Sequence, residues 1–171
     1  MLAARPMSPD RQLDPEGLGD HLDRLYRAAR GLCGSREEAE DLVQETFVRV
    51  LRKPRMLRSE DDLGYLLRVL RNTFISSRRA AARRPVASTP PETLELVQDR
   101  RSAQPEALYE ASEVYAAIAQ LPPDFRDAVV AIDVMGLSYR EASRALRVRE
   151  ATITTRLHRG RQRIVRALDP S

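Results

Sequence analysis

The sequence predicts an all-α protein of two small helical domains joined by a flexible linker, with a helix-turn-helix in the C-terminal domain. Apolar residues recur at helical spacing over most of the 171 residues. A stretch rich in proline interrupts this pattern and separates two periodic parts. Near the C-terminus, a short capped helix is followed within a few residues by a strongly basic helix. The first two observations predict the two domains, and the third predicts the helix-turn-helix.

Prolines and apolar periods divide the chain into four parts. Residues 1–19 contain three prolines and no period, which predicts a disordered tail. Residues 20–84 form the first helical domain, residues 85–105 contain four prolines and form the linker, and residues 106–171 form the second domain. A linker of about twenty residues reaches at most ~70 Å, or roughly two turns of B-DNA.

Three helices are predicted in the first domain. The first of them ends at Gly31 and Gly34. Ser35 and Glu38 form a capping box at the start of the second, and Pro54 ends it. The second helix has acids early and bases late, which suits the helix dipole, although an ordinary solvent-exposed face explains the same charges.

The third helix opens at residues 59–62 and is followed by arginines, with no acid between Asp62 and Glu92. Tyr65 and Phe74 lie among these arginines. Aromatic faces beside cations bind unstacked bases, and each stacked base contributes ~1–3 kcal/mol. The helix is therefore a candidate for single-stranded DNA, and packing of both rings in the core is the alternative.

The second domain is predicted to begin with a helix from Glu106 to the Leu-Pro-Pro sequence at 121–123. Asp124 is expected to cap the next helix, which covers residues 125–135. Gly136 is expected to end that helix, because glycine favours the position just past a helix C-terminus.

The helix-turn-helix prediction rests on residues 136–168. Ser138 and Glu141 form a capping box, which satisfies two amide donors at a helix start. The next helix is basic, with seven arginines from Arg147 to Arg166 against one acid, Glu150. Such a pair of helices places its second helix in the major groove. A solvated amphipathic helix within a bundle is the alternative explanation.

The charge composition favours a polyanionic partner without requiring one. The formal net charge is +4, and Lys53 is the only lysine among the 29 cationic residues. Arginine binds phosphate and guanine edges with two parallel hydrogen bonds, which favours nucleic acid weakly. The base composition of the genome explains the same bias equally well.

The remaining composition predicts a cytoplasmic protein with no catalytic centre. Cys33 is the only cysteine, so no internal disulfide forms, and we interpret it as a small core residue. The sequence contains no apolar run of membrane length and no secretion leader. His21 and His158 are isolated, so no metal-ligand spacing exists, and no cofactor motif or enzyme signature was found.

Three motifs in order resemble the extracytoplasmic-function (ECF) group of bacterial sigma factors, the small members of the sigma-70 family. DLVQETFVRVL at 41–51 is similar to the family's helix that binds core RNA polymerase. YLLRVLRNTFISSRR at 65–79 is similar to the segment that opens the −10 element. The sequence at 121–148 followed by TITTRLHRGR is similar to the domain that reads the −35 element.

The resemblance implies a dissociable specificity subunit whose partners are core RNA polymerase, promoter DNA and an anti-sigma factor. The implied polymerase-binding residues are Asp41, Gln44, Glu45 and Val48. The implied −10 DNA-binding residues are Tyr65, Arg68, Arg71, Asn72, Thr73, Phe74, Arg78 and Arg79. The implied −35 DNA-binding residues are Thr154, Thr155, His158 and Arg159 for bases and Arg149, Arg156 and Arg161 for phosphates.

The sequence departs from the family pattern at several of these positions. Tyr65 stands where the family usually has tryptophan, and Ser76 where it has aspartate. In the turn, Arg147 replaces the usual glycine and Arg149 replaces serine or proline. Thr154 replaces a basic residue, so relatives do not predict the −35 preference.

Two other functions remain open from the residues alone. A freestanding helix-turn-helix regulator would bind a duplex operator as a dimer, without polymerase. A pure interaction protein would use only the acidic helix around residues 37–45, and its basic helix would be incidental.

Overall fold

The computed structural model describes residues 11–12, 19, 21–52, 56–57, 62–84, 105–169 and 171. Within the range 105–169, side chains are described from residue 111 onward. The all-α prediction is confirmed. The helices are α1 (Leu22–Cys33), α2 (Arg36–Arg52), α3 (Asp62–Arg83), α4 (Pro105–Ala119), α5 (Pro123–Val129), α6 (Tyr139–Leu146) and α7 (Glu150–Leu168). Most of the predicted tail and nearly all of the predicted linker lie outside the described residues.

A two-residue ladder is the β-structure of the described chain. Strand β1 (Arg11–Gln12) pairs antiparallel with β2 (Met56–Leu57), and Arg11 stands opposite Leu57. The prediction of an unstructured tail is therefore wrong for these two residues, because their backbone groups find partners between α2 and α3.

Helices α1 to α3 form the first unit. Gly34 adopts φ +75° just after α1, and its N–H donates to the Arg30 carbonyl. Gly31 does not end the helix, contrary to the prediction, but lies buried inside α1. Ser35 Oγ accepts from the Glu38 N–H at 3.4 Å, which is one half of the predicted capping box. Leu51 is exposed near the end of α2.

Helices α4 to α7 form the second unit. Its first helix, α4, ends just before the Leu-Pro-Pro sequence at 121–123, as predicted. Pro122, and not Asp124, is the N-cap of α5, because the helix already begins at Pro123. The predicted helix at 125–135 is α5 followed by a π-helical turn (Val130–Val134), in which the Met135 N–H donates to the Val130 carbonyl five residues back. Gly136 follows with φ +75°, which is the left-handed conformation expected of a glycine just past a helix end.

The predicted helix-turn-helix is α6, its turn and α7. Both hydrogen bonds of the capping box are present, from the Glu141 N–H to Ser138 Oγ at 3.1 Å and from the Ser138 N–H to Glu141 Oε2 at 2.8 Å. Arg147 ends α6 in the left-handed conformation, with φ 56° and ψ 44°. Ile153, Leu157 and Gly160 of α7 are buried, and α7 packs on α5.

The two units pack directly against each other. Helix α1 packs on α4 and on the π turn, and α3 packs on α6. A Cβ at Gly31 would lie 3.0 Å from Val130 Cγ2, and a Cβ at Gly34 would lie 3.0 Å from Ala119 Cβ. Two small residues of α1 thus permit this close approach, and buried apolar side chains of both units form one continuous cluster.

Candidate nucleic-acid interface

The outer face of α7 is polar and open to solvent. Thr154, Thr155, His158 and Arg159 are exposed, whereas Ile153 and Leu157 on the opposite face are buried. The two threonine hydroxyls donate to carbonyls one turn back, at 3.1 Å each. The helical period therefore brings all four predicted base-contacting residues to one accessible surface.

Two of the three arginines predicted to contact phosphates are held by carboxylates. Arg156 lies 3.3 Å from Asp124 of α5, and Arg161 donates two hydrogen bonds to Asp133 of the π turn. The hydrogen bond to Asp133 raises the pKa of the Arg161 guanidinium. Arg149 is exposed at the N-cap of α7, where its side chain makes no capping hydrogen bond.

The four residues predicted to bind polymerase lie on an exposed face of α2. Asp41, Gln44 and Glu45 are exposed, and Val48 leaves 40% of its surface accessible. Glu45 accepts a hydrogen bond from Arg49 Nε at 3.1 Å. The face therefore combines an exposed apolar side chain with carboxylates, one of which is already paired with an arginine.

The residues predicted to bind the −10 element do not share one surface. Asn72, Arg78 and Arg79 are exposed, whereas Tyr65, Arg68 and Arg71 are half-buried. Phe74 is only 7% exposed. Helix α3 thus exposes only part of the predicted set and conceals Phe74.

The prediction that Thr73 contacts the −10 element does not agree with its position in the structure. Its side chain is fully buried, and its hydroxyl donates to the Val69 carbonyl at 2.7 Å. It lies three and seven residues after Leu70 and Leu66, so the helical period assigns it to the core-facing side of α3.

Two residues of the second unit contact Phe74 and Arg71 of α3. The Arg126 guanidinium lies 4.9 Å from the centre of the Phe74 ring, and that of Arg78 lies 5.1 Å away. Arg71 Nε donates to Asp127 Oδ2 at 2.6 Å. No local pattern identifies Arg126 and Asp127 as site residues, because their partners lie more than 50 residues away in the chain.

The fold and these surfaces define the class as an all-α protein of two helical units with a C-terminal helix-turn-helix. The Sigma-70 region 2 family matches residues 18–84, and the Sigma-70 region 4 family matches residues 111–164. The chain belongs to the ECF group of the sigma-70 family.

Curated relatives carry the same family name. The ECF RNA polymerase sigma factor SigE of Mycolicibacterium smegmatis is 39% identical over an alignment of 151 residues, which covers 84% of this chain and 57% of that relative. The chain thus spans little more than half the length of that relative. The ECF RNA polymerase sigma factor SigM of Mycobacterium tuberculosis is 32% identical over 168 residues, covering 98% of this chain and 83% of that protein.

Two solved structures share the fold. CnrH, solved in complex with the cytosolic domain of CnrY, superposes with a TM-score of 0.66 at 21% identity, over 91% of this chain and 87% of that one. The sigma factor RpoE of Bartonella quintana, solved with the anti-sigma factor NepR, gives 0.65 at 25% identity, over 90% and 94%.

Among the helices that the structure describes, none has the length and apolar character needed to cross a bilayer.

Proposed function

We propose that this chain binds core RNA polymerase and directs promoter-specific initiation by recognising the −35 and −10 elements and helping to melt the DNA. The observation that carries this proposal is the order of its parts. A Sigma-70 region 2 match covers α1 to α3, and a Sigma-70 region 4 match covers the helix-turn-helix. This order does not favour a freestanding regulator, for which region 2 has no role.

In the second unit, α7 reads the −35 element from the major groove. Thr154, Thr155, His158 and Arg159 face the base edges, since all four are exposed on one side of the helix. Arg149, Arg156 and Arg161 contact phosphates, which fix position without specifying sequence. Arg156 and Arg161 exchange a carboxylate for a phosphate when DNA binds.

In the first unit, α2 binds the clamp helices of the largest polymerase subunit. Val48 is the apolar centre of this contact, and Asp41, Gln44 and Glu45 form its polar margin. Apolar centres with polar margins are the usual composition of protein interfaces. A partner with an apolar spot flanked by basic residues fits this face.

Helix α3 captures the separated −10 strand. Asn72, Arg78 and Arg79 are accessible from the start, and Tyr65, Arg68, Arg71 and Phe74 complete the site. A flipped base stacks on an aromatic side chain while cations hold the backbone, which offsets a few kcal/mol of unstacking. Thr73 is not retained as a DNA contact.

An anti-sigma factor is the third partner that we propose, and the cytoplasm is where these partners meet. The sigma factor RpoE of Bartonella quintana, which has this fold, was solved with the anti-sigma factor NepR, and CnrH was solved with the cytosolic domain of CnrY. The inhibitor would cover the polymerase-binding face of α2 and the DNA-binding faces of α3 and α7.

Transcript mapping with reconstituted holoenzyme on genomic DNA tests the function. We expect discrete start sites that are absent with core polymerase alone and that are lost with Thr155→Ala plus Arg159→Ala. Arg166→Ala is the matched control, because Arg166 is an exposed arginine of α7 about two turns beyond Arg159, past the last of the proposed reading residues. Identical transcripts with and without the chain would contradict the proposal, and specific duplex binding without polymerase would favour a freestanding regulator.

A further inference from the structure

Helices α3 and α5 meet at the residues proposed to hold the −10 strand. Arg71 Nε donates to Asp127 Oδ2 at 2.6 Å. The Asp127 side chain is 6% exposed and that of Arg71 is 33% exposed, so the pair is largely shielded from water. Water and salt therefore weaken this ion pair less than they weaken one on the open surface.

Arg126, the preceding residue, covers the aromatic ring of the same site. Its guanidinium carbon lies 4.9 Å from the Phe74 ring centre, within the distance of a cation–π contact. Two consecutive residues of α5 thus engage two groups of α3 at once, a guanidinium and an aromatic ring.

A nucleotide of a single strand makes the same two contacts. Its phosphate binds a guanidinium, and its planar base stacks on an aromatic face. The Asp127 carboxylate matches the phosphate, and the planar guanidinium of Arg126 matches the base. We propose that α5 closes the −10 site in the free chain by standing in for a nucleotide, so that α5 and the DNA strand compete for Arg71 and Phe74. This inference rests on the function proposed for α3.

The helix packing around this contact supports a defined closed state. Gly31 admits Val130 and Ile118 of the second unit, since a Cβ there would lie 3.0 Å and 3.4 Å from their Cγ2 atoms. Arg68 Nη2 also donates to the Arg144 carbonyl at 3.1 Å, which joins α3 to the first helix of the helix-turn-helix.

The closed state cannot bind both promoter elements together. Elements named −35 and −10 lie about 25 base pairs apart, or roughly 85 Å at about 3.4 Å per base pair. The Arg68–Arg144 hydrogen bond holds α3 and α6 in direct contact. The units must therefore separate before the chain spans a promoter, and closure is an inactive state.

The contact is poised to open because it is incompletely satisfied. Asp127 Oδ1 and Arg126 Nε are buried and lie 3.7 Å apart, within ion-pair range but too far for a hydrogen bond, and neither has a hydrogen-bond partner in the described part of the protein. A buried polar atom without a hydrogen-bond partner raises the free energy of the closed state, and water supplies the missing hydrogen bond when the site opens. A groove of about 570 Å³, lined by both residues and by Cys33, lies beside the contact.

Binding of a labelled, mixed-sequence DNA strand of about 12 nucleotides to the free full-length chain tests the proposal directly. We expect Asp127→Asn to raise its affinity by about tenfold, because the apparent affinity is reduced by the fraction of chains whose site is open, and the substitution raises that fraction. Glu113→Gln is the matched control, since it removes one negative charge from an exposed position on α4 of the same unit. No gain with Asp127→Asn, or an equal gain with Glu113→Gln, would overturn the proposal.

Gly31→Leu provides an independent way to separate the units without touching the DNA face of α3. We expect it to raise single-strand affinity and also the rate at which Cys33, the only cysteine, reacts with a thiol reagent. Circular dichroism confirms that the helices remain. Unchanged affinity and thiol reactivity in a folded variant would argue against closure, whereas failure of wild-type holoenzyme to select promoters would instead remove the proposed function.

Discussion

Arg161 binds Asp133 through two parallel hydrogen bonds, from Nε to Oδ2 at 2.9 Å and from Nη2 to Oδ1 at 2.6 Å. The pair joins α7 to the π turn, with side-chain exposures of 52% and 34%. A pair this exposed contributes no more than about 1 kcal/mol to folding. Its main effect is to fix the direction in which the Arg161 guanidinium points.

Removing Arg161 and removing Arg159 should affect DNA binding differently. Arg161→Ala should weaken holoenzyme binding equally on all promoters and lower the salt slope by about 1, because a phosphate contact carries no sequence information. Arg159→Ala should cost ~1–3 kcal/mol and relax the preference at one −35 position. Binding to a −35 library at several salt concentrations measures both, and a changed base preference with Arg161→Ala would reverse the two roles.

Val48→Lys should weaken core polymerase binding by more than tenfold, which is about 1.4 kcal/mol. The lysine would place a charge at the apolar position of the α2 face. Val48 is 40% exposed in the free chain, so the substitution should change the stability of the fold little. Fluorescence anisotropy with core polymerase gives the affinity. Leu22→Lys is the control, because Leu22 is also an exposed apolar residue but lies on α1, and equal losses would show that the α2 face is not special.

Arg147→Gly should stabilise the protein by up to about 1 kcal/mol, since a residue with a Cβ pays a penalty in the left-handed region that glycine does not. Gly136→Ala should do the opposite. Its φ is +75° and no atom lies within 4 Å of an added Cβ, so only backbone strain changes. Thermal unfolding of both variants measures the effect, and shifts of the same sign would contradict this explanation.

Gly160→Ala should destabilise the second unit by ~1–3 kcal/mol, because the core has no room for the added methyl group. That Cβ would lie 2.7 Å from Val129 Cγ2 and 3.3 Å from the Phe125 carbonyl oxygen. The helix must move outward, so −35 binding should weaken as well. Adding Val129→Ala removes the clashing atom and should recover part of both losses in denaturant titration and in DNA binding.

Burial raises the pKa of the Cys33 thiol from its ordinary 9.0 to about 11, and the Glu38 carboxylate contributes further. The folded chain therefore holds this proton more tightly than the unfolded chain does. The resulting stability is complete below about pH 9 and is lost as the pH rises towards 11.

We accordingly expect alkylation of Cys33 to be slow at neutral pH and to increase with a midpoint near 11. In urea the midpoint should return towards 9.0. Cys33→Ser is the control for reaction at other side chains. A folded-state midpoint at or below 9.0 would show that the thiol is not shielded.

The sequence predicted the elements whose causes are local. Ser138 and Glu141 lie three residues apart, so their capping box and the start of α6 follow from spacing alone. The exposed face of α7 follows from the helical period in the same way. Gly136 was correctly expected to end a helix, because a single residue type supplies that backbone conformation.

What the sequence missed depends on partners distant in the chain. Gly31 looked like a helix end, yet it is buried in α1, where the approach of Val130 requires a small residue. For Phe74 the sequence allowed either stacking on a base or packing in the core, and it did not predict that Arg126 covers the ring. Neither contact has a local pattern, since each joins residues from different units.

The π turn at Val130–Val134 carries a consequence for insertions and deletions. One residue more or fewer in a helix rotates everything beyond it by about 100°. Asp127 precedes the turn and faces Arg71, whereas Asp133 lies inside it and faces Arg161. The number of residues between them therefore sets the angular offset of two acidic side chains that serve different neighbours. Loss of one residue there would leave the first acid aligned and put the second out of phase with its arginine.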